Sequence, residues 1–413
     1  MARRIGLLGS WKSRFPSTDA SYSSLDTVTW STARALRRGG AEVVVAGAEV
    51  GTATDGIELV PVAATADHLV RAAMRRFRVP KSLRPRWSTP LHHPAHVFEG
   101  VRALGRRGVD AIQLTHEFAN LASARKLARG VPVITQLHAV WVDDHPHLAR
   151  RLLGADAVAT VSDFVRSAIC AVEPRLEPHA ATVRNGVDLD AFPGRTAIRA
   201  THGESIARWR AELGATHRPL VVAVGRVAPE KGHHVLAEAS AILASRGYDP
   251  VVVVAGPVGG AYERPGPARS ALWRDIEALV PHYAERTKAA AGPATFELLG
   301  GLTPPDVKLL LAAADVFVAP SLTPEPCPLP ILEALAMEAP AVTSETGGYP
   351  ELVGDAALLV PAGDATALAD ALARLLDDET LRIELGARAR PQAARHTWDA
   401  TAAALDALVA QLT

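Results

Sequence analysis

Short apolar runs alternate with longer stretches of helical period along almost the whole chain, and this alternation limits the fold more than any other feature. In the first half the strand-like runs are Arg4–Leu8, Glu42–Ala46, Ala111–Leu114, Val133–Gln136, Ala157–Thr160 and Thr182–Arg184. Helical patterns at Leu25–Arg38, Phe98–Arg107 and Asp163–Ala171 lie between them. The second half repeats the scheme with strands at Leu220–Val224, Pro250–Ala255, Thr295–Leu299, Val316–Ala319, Ala341–Ser344 and Ala357–Val360. Its helices fall at Gly232–Arg246, Pro305–Ala313, Pro330–Met337 and Thr366–Leu376. Strands that alternate with helices form parallel sheets covered on both faces, so the fold class is α/β. Two blocks, each long enough for a doubly wound domain, flank a polar stretch near Phe192–Arg218. The expected domains are therefore 1–192 and 193–396. Residues 397–413 form an amphipathic helix, with Trp398 near its start, that packs back on the N-terminal domain.

Composition narrows the function. The 413 residues are 48% hydrophobic and 21% charged, which excludes general disorder. Lys and Arg number 44 against 44 Asp and Glu, whereas a dedicated nucleic-acid binder is strongly basic. The neutral sum hides a division. Residues 1–190 hold 25 cations and 18 acids, a net +7, and residues 191–413 hold 19 and 26, a net −7. Cys170 and Cys327 match no metal or redox spacing and fit a reducing cytosol. Ile5–Gly9 is interrupted by Ser10 and Lys12, so it reads as a first strand rather than the core of a signal peptide. Even Val251–Ala255 falls well short of a membrane span. The expected location is cytoplasmic.

Two segments carry chemistry. In Pro324–Val353, Glu325 sits in a proline-rich loop and Glu333, eight positions on, about a turn into the next helix. Carboxylates so placed accept hydrogen bonds from polyols, and the amides of the helix start hold anionic or hydroxyl groups. Taken alone, a helix-end acid and a solvated helix charge are the commoner explanation. In Val221–Gly232 a strand runs into a turn that holds Arg226 and Lys231. A guanidinium fork and a mobile ammonium at a strand's carboxyl end suit a diphosphate, although loop cations are as often merely solvated.

Together and in this order, the two segments resemble the family-4 retaining glycosyltransferases of the GT-B fold. The resemblance rests on Arg184–Val187 with Asp188 and Phe192, on Gly225–Arg226, Glu230–Gly232, Leu299–Gly300 and Asp315–Val316, and on the Glu325/Glu333 pair. Gly347–Gly348, Glu351, Thr160–Ser162 and His138 continue it. It covers most of residues 130–412 and is weaker over 10–110. It implies two Rossmann-like domains facing across a cleft, an N-terminal acceptor domain and a C-terminal nucleotide-sugar donor domain. By that resemblance Arg226 and Lys231 neutralise the donor diphosphate, Glu333 accepts from the ribose hydroxyls and Glu325 from a sugar hydroxyl. Gly300, Gly301 and Leu302 offer backbone groups to the base, and Ser10, Cys327 and Leu329 complete the donor side. His138 reaches the transferred sugar, while His116, Glu117, Asp143, Asp144 and Tyr22 are the acceptor-side candidates.

The implied reaction moves a hexosyl group from a UDP- or GDP-linked sugar, with retention, to a hydroxyl of a small polar acceptor. A cyclitol, an aminocyclitol or a natural-product intermediate fits. Fixed cations stabilise the leaving diphosphate, so no cofactor and no metal are expected. The one Asp-x-Asp spacing, Asp188/Asp190, lies within the AsnGlyVal segment. The rivals are a transferase acting on a lipid-linked glycan precursor at a membrane surface, a non-catalytic nucleotide-sugar-binding module, a GT-B phosphorylase and a nucleotide-sugar epimerase. Three departures from the family pattern stand out. Ser17–Leu25 has no glycine where a Gly-Gly loop is usual. Cys327–Pro328 replaces Phe-Gly, removing a backbone donor. Glu338 and Ala339 stand where Gly is frequent.

The segment His68–Phe98 contains Arg71, Arg75, Arg76, Arg78, Lys81, Arg84 and Arg86, no acid, and Trp87. It fits an anionic acceptor, contact of Arg71–Arg86 with an anionic membrane, or a solvated face. Asp143 and Asp144 argue the opposite way, for an amine-bearing acceptor.

Overall fold

The computed structural model describes residues 2–10, 13–16, 24–52, 54–77, 93–139, 146–258, 279 and 282–413. The chain divides into two compact units, Met1–Gly186 with Trp398–Thr413, and Val187–Thr397.

In unit 1 the strands are β1 (Arg4–Leu8), β2 (Arg14–Phe15), β3 (Glu42–Gly47), β4 (Glu49–Val50) and β5 (Glu58–Pro61), followed by β6 (Ala111–Thr115), β7 (Val133–Leu137), β8 (Ala157–Thr160) and β9 (Ala180–Thr182). Seven of them form one sheet in the order β5-β3-β1-β6-β7-β8-β9, every pair parallel, and β2 pairs with β4 apart from it. Strands β1, β6, β7 and β8 are buried along nearly their whole length, as a sheet covered on both faces requires. The helix Ser24–Arg38 turns Val28, Trp30, Ala33 and Leu36 inward. The terminal helix Trp398–Leu412 packs against it, with Arg3 bridging both oxygens of Asp406 at 2.7 Å.

Unit 2 contains β10 (Leu220–Val224), β11 (Val251–Ala255), β12 (Thr295–Gly300), β13 (Val316–Ala319), β14 (Ala341–Ser344) and β15 (Ala357–Val360), in the parallel order β12-β11-β10-β13-β14-β15. The strand order reverses at β1/β6 in unit 1 and at β10/β13 in unit 2. Such switch points open a crevice at the strands' carboxyl ends, where ligands of open α/β sheets bind.

The structure departs from the sequence-based expectation in four places. The unit boundary falls at Gly186/Val187 rather than after Phe192. Val187 already donates its N–H to the His396 carbonyl, and Arg390 holds the Leu189 and Phe192 carbonyls. The polar stretch near 192–218 is largely a helix, Arg195–Glu212, that buries only Ile198 and Ile206. Polar side chains anchor it instead. The Arg210 guanidinium reaches the Ala313, Ala215 and Arg218 carbonyls at 2.7, 3.1 and 2.8 Å and Asp315 at 3.0 Å. A second unforeseen helix, Glu379–Ala393, is capped by Asp378 and tied by Arg390 to the Ala336 carbonyl, again with little apolar contrast to betray it. Strand β9 ends at Thr182, because Val158 to Thr160 of β8 pair with Ala180 to Thr182.

Backbone approaches backbone in the loops at the β10/β13 switch point. Gly232 has φ +69, and a Cβ there would lie 1.9 Å from the Pro320 carbonyl oxygen. Leu322 N–H donates to the Glu230 carbonyl at 3.0 Å, joining the loop after β10 to the loop after β13. Gly232→Ala adds both a left-handed penalty and a clash with main chain. It is expected to lower the unfolding free energy by about 2 kcal/mol or more in denaturant titration. A variant as stable as the parent would show that these loops do not depend on that approach.

Candidate active site

In unit 2, β10 ends at Val224 and the chain turns through Gly225 and Arg226 into the short 3-10 turn Pro229–Lys231. The helix His233–Ser245 follows. Lys231 Nζ donates to Glu325 Oε1 at 2.8 Å, with the two side chains 25% and 13% exposed. Arg226 Nη2 donates to Glu230 Oε1 at 2.5 Å. Glu230 is buried, and its Oε2 has no hydrogen-bond partner among the described residues. The site therefore holds two cations and two carboxylates on loops that leave adjacent strands. A low dielectric strengthens each pair and makes an unmatched charge costly.

Glu325 is fixed from below. Gly348 N–H donates to its carbonyl at 2.7 Å, and a Cβ on Gly347 would meet Glu325 backbone atoms at 2.5 Å. Beneath it the buried Tyr349 hydroxyl bonds Ser321 Oγ at 3.1 Å. Burial, and then the Glu325 charge, push the Tyr349 phenol far up, so it stays a neutral donor. Glu333 is half-buried in the helix Leu329–Ala336. Pro328 at that helix's N-cap and Pro330 in its first turn lack N–H groups, so the helix start offers fewer amides than an ordinary one. Cys327 and Leu329 have buried side chains. Gly300 (φ +74) ends β12 beside exposed Gly301 and half-buried Leu302, and its carbonyl accepts from Gly256 N–H at 2.7 Å.

Next to Lys231, His233 is buried, and burial together with the lysine and His234 pushes it down to about 3. His234 Nδ1 takes a hydrogen bond from the Tyr283 hydroxyl at 2.9 Å, and the same oxygen accepts the His234 N–H at 3.1 Å. Burial lowers His234 to about 4 and raises Tyr283 to about 12.

In unit 1, Ser10 follows β1, the segment His116–Phe118 follows β6 and His138 follows β7. His138 N–H donates to His116 Nδ1 at 3.2 Å, which assigns the proton of neutral His116 to Nε2. Burial depresses His116 to about 4; burial and then the neighbouring His116 depress His138 to about 3. His138 Nε2 is buried without a hydrogen-bond partner among the described residues. Buried polar atoms of this kind call for an explanation. Glu117 serves the loop: its Oε1 accepts from the N–H groups of Phe118, Ala119 and Asn120 at 3.1, 2.7 and 2.9 Å. Burial raises its pKa and these bonds offset part of the rise. Tyr22, Asp143 and Asp144 lie outside the described residues.

Two groups, Asp26 and Thr29, carried no weight in the sequence, and a third was legible only in part. Glu230 was legible as part of GluLysGly, but its grip on Arg226 was not. Asp26 is buried in the first turn of Ser24–Arg38, and burial raises it to about 6. Thr29 links that helix to Thr115, the residue before His116, at 3.0 Å. Nothing in composition or spacing distinguishes either from a surface residue. Asp188 Oδ1 accepts from Asp190 and Ala191 N–H at 3.0 Å, so the Asp-x-Asp spacing is a backbone turn. Among the described residues no group of three or more His, Cys, Asp or Glu is placed to hold a metal ion.

Two doubly wound parallel sheets with charged groups at a switch point define a GT-B-type α/β protein. The family model for glycosyltransferase family 4 matches residues 25–191, and that for group 1 glycosyl transferases matches 205–392. The chain belongs to the family-4 glycosyltransferases. It is 33% identical over 235 residues to a D-inositol 3-phosphate glycosyltransferase of Corynebacterium glutamicum (strain R), covering 55% of this chain and 50% of that one. Over 273 residues it is 30% identical to the alpha-D-kanosaminyltransferase of Streptomyces kanamyceticus, covering 63% and 66%. The match thus spans about half the length of the corynebacterial relative. Among solved structures, Anabaena HepE in complex with UDP and glucose superposes with a TM-score of 0.68 at 18% identity, covering 99% of this chain and 100% of that one.

The buried histidines give the fold a pH signature. His138 and His233 ionise near 3 and His116 and His234 near 4, against 6.5 when unfolded. Below pH 6.5 the unfolded chain therefore binds more protons, and these four groups cost stability as pH falls toward 4. Asp26, raised from 3.8 to about 6, acts in the opposite direction across that window. The melting temperature is expected to fall from pH 7 to about pH 4.5, and less steeply in His233→Gln, which has no imidazole to protonate. Superimposable profiles would remove His233 from the account.

Proposed function

We propose that the chain transfers a hexosyl group from a UDP- or GDP-linked sugar, with retention and without a metal ion, to a hydroxyl of a small polar acceptor of the cyclitol or aminocyclitol kind. The observation that carries this reading is the Arg226/Glu230 and Lys231/Glu325 arrangement at the β10/β13 switch point. A diphosphate bound there meets two cations whose positions are already set by carboxylates, so little reorganisation is needed as charge develops. The anomeric C–O bond breaks as the sugar gains oxocarbenium character, and the electron pair stays on the phosphate oxygen. Arg226 and Lys231 stabilise that negative charge. The acceptor oxygen bonds the anomeric carbon from the face the diphosphate leaves, and its proton passes to the departing phosphate oxygen. Glu325 orients a sugar hydroxyl, Glu333 takes the ribose hydroxyls, and His138 Nε2 bonds the transferred sugar.

Further support comes from what related proteins are named for: D-inositol 3-phosphate in one relative, a kanosaminyl group in another, and bound UDP and glucose in HepE. Lys231→Ala and Arg226→Ala are each expected to cut kcat about a hundred- to a thousandfold per folded molecule; Arg226→Ala, which leaves the buried Glu230 without its cation, is also expected to lower the melting temperature. Turnover in excess chelator should be undiminished, and proton NMR should find the donor's anomeric configuration in the product. Near-normal turnover in both variants would refute the diphosphate assignment. Strict metal dependence or inversion would refute the corresponding part of the mechanism.

A further inference from the structure

The helix His233–Ser245 begins two residues after Lys231, and its start has no cap of the usual kind. A Ser, Thr, Asp or Asn at the N-cap commonly serves one of a helix's first free N–H groups. Here that position is Gly232, which has φ +69 and no side chain. It has no room for one either, since a Cβ would lie 1.9 Å from the Pro320 carbonyl oxygen. The Gly232 carbonyl accepts from Val235 and Leu236 N–H at 2.9 and 3.3 Å, which leaves the amides of His233 and His234 in the first turn.

Tyr283 serves one of them from 49 residues further along the chain. Its hydroxyl oxygen accepts from His234 N–H at 3.1 Å, and its hydroxyl proton goes to His234 Nδ1 at 2.9 Å. Acting as acceptor and donor at once, the phenol is fixed against both the main chain and the ring of one residue. The two rings meet edge to face with centroids 5.5 Å apart. Tyr283 is buried and opens the helix Tyr283–Ala290, which packs on His233–Ser245. Burial, and then the Glu230 charge, raise the phenol, so the carboxylate that grips Arg226 acts on the same hydroxyl. We propose that Tyr283 is a positioning residue: by capping the helix His233–Ser245 it fixes the turn Pro229–Gly232 and holds Lys231 where the donor diphosphate meets it. This role rests on the diphosphate assignment of Arg226 and Lys231. Without the hydroxyl the His234 amide turns to water, the first helical turn frays, and Lys231 loses its fixed placement against Glu325.

Calorimetric titration of UDP, GDP and their monophosphates into the parent, Tyr283→Phe, Tyr248→Phe and Lys231→Ala tests this. Tyr283→Phe keeps the buried ring and is expected to fold with a lowered melting temperature. Tyr248 lies just beyond the other end of the same helix and donates to Asp377 at 2.6 Å, so Tyr248→Phe removes a tyrosine hydroxyl bond at the end remote from Lys231. For the nucleotide the parent prefers, Tyr283→Phe should reduce the preference for diphosphate over monophosphate about threefold or more, with monophosphate affinity unchanged. Tyr248→Phe should keep the full preference. A purely structural role would lower the melting temperature and leave this ratio untouched, because the ratio does not depend on the fraction folded. An unchanged ratio in Tyr283→Phe, or an equal fall in Tyr248→Phe, would overturn the proposal. If the preference is lost in Lys231→Ala but intact in Tyr283→Phe, only the role of Tyr283 fails. A parent without preference, or one that survives in Lys231→Ala, would overturn the diphosphate assignment and this role with it.

Discussion

Main chain packed directly on main chain is the constraint on which the arrangement in the second unit depends. At Gly232 and Gly347 there is no room for a methyl group, because the Pro320 carbonyl and the Glu325 peptide occupy that space. The loop after β10, the loop after β13 and the Gly347–Gly348 turn thereby come within one backbone thickness of one another. The Leu322-to-Glu230 and Gly348-to-Glu325 hydrogen bonds hold them there. Only at that separation does Lys231 reach Glu325, a partner 94 residues further along the chain. The glycines act through proximity: they let two loops share one small volume, and the charged side chains then find each other.

Electrostatics is organised on the same principle. Both cations assigned to the diphosphate are already paired, Arg226 with a buried carboxylate and Lys231 with a partly buried one. Such pairs contribute little net stability, since desolvation offsets attraction, but they fix position and keep an otherwise mobile lysine from sampling solvent. Around them the groups stay neutral: Tyr349 keeps its proton and His233 stays unprotonated, both through burial. The overall charge says less, because +7 and −7 in the two halves cancel to zero.

Strands were legible wherever burial on both faces made them continuously apolar, as in Val251–Ala255. The helices Arg195–Glu212 and Glu379–Ala393 were not, because guanidinium-to-carbonyl contacts such as those of Arg210 and Arg390 anchor them in place of an apolar stripe. A periodicity argument has nothing to detect there. The candidate site was legible as a set of residues, since ArgValAlaProGluLysGly and the two glutamates are local patterns. Their pairing was not: it joins residues far apart in sequence, and no spacing rule assigns Lys231 to Glu325 or Arg226 to Glu230. Glu117 shows the opposite case. Its position after β6 suggested ligand contact, whereas three backbone amides take up one of its oxygens.

The central claim is that Arg226 and Lys231 bind a nucleoside diphosphate through its second phosphate. Calorimetric titration of UDP, GDP and the matching monophosphates into the parent and Lys231→Ala tests this most directly. The account predicts that the parent prefers one diphosphate over its monophosphate by about tenfold or more, and that Lys231→Ala loses this preference while still binding the monophosphate. Equal affinity of the parent for mono- and diphosphate, or a preference that survives in Lys231→Ala, would contradict it.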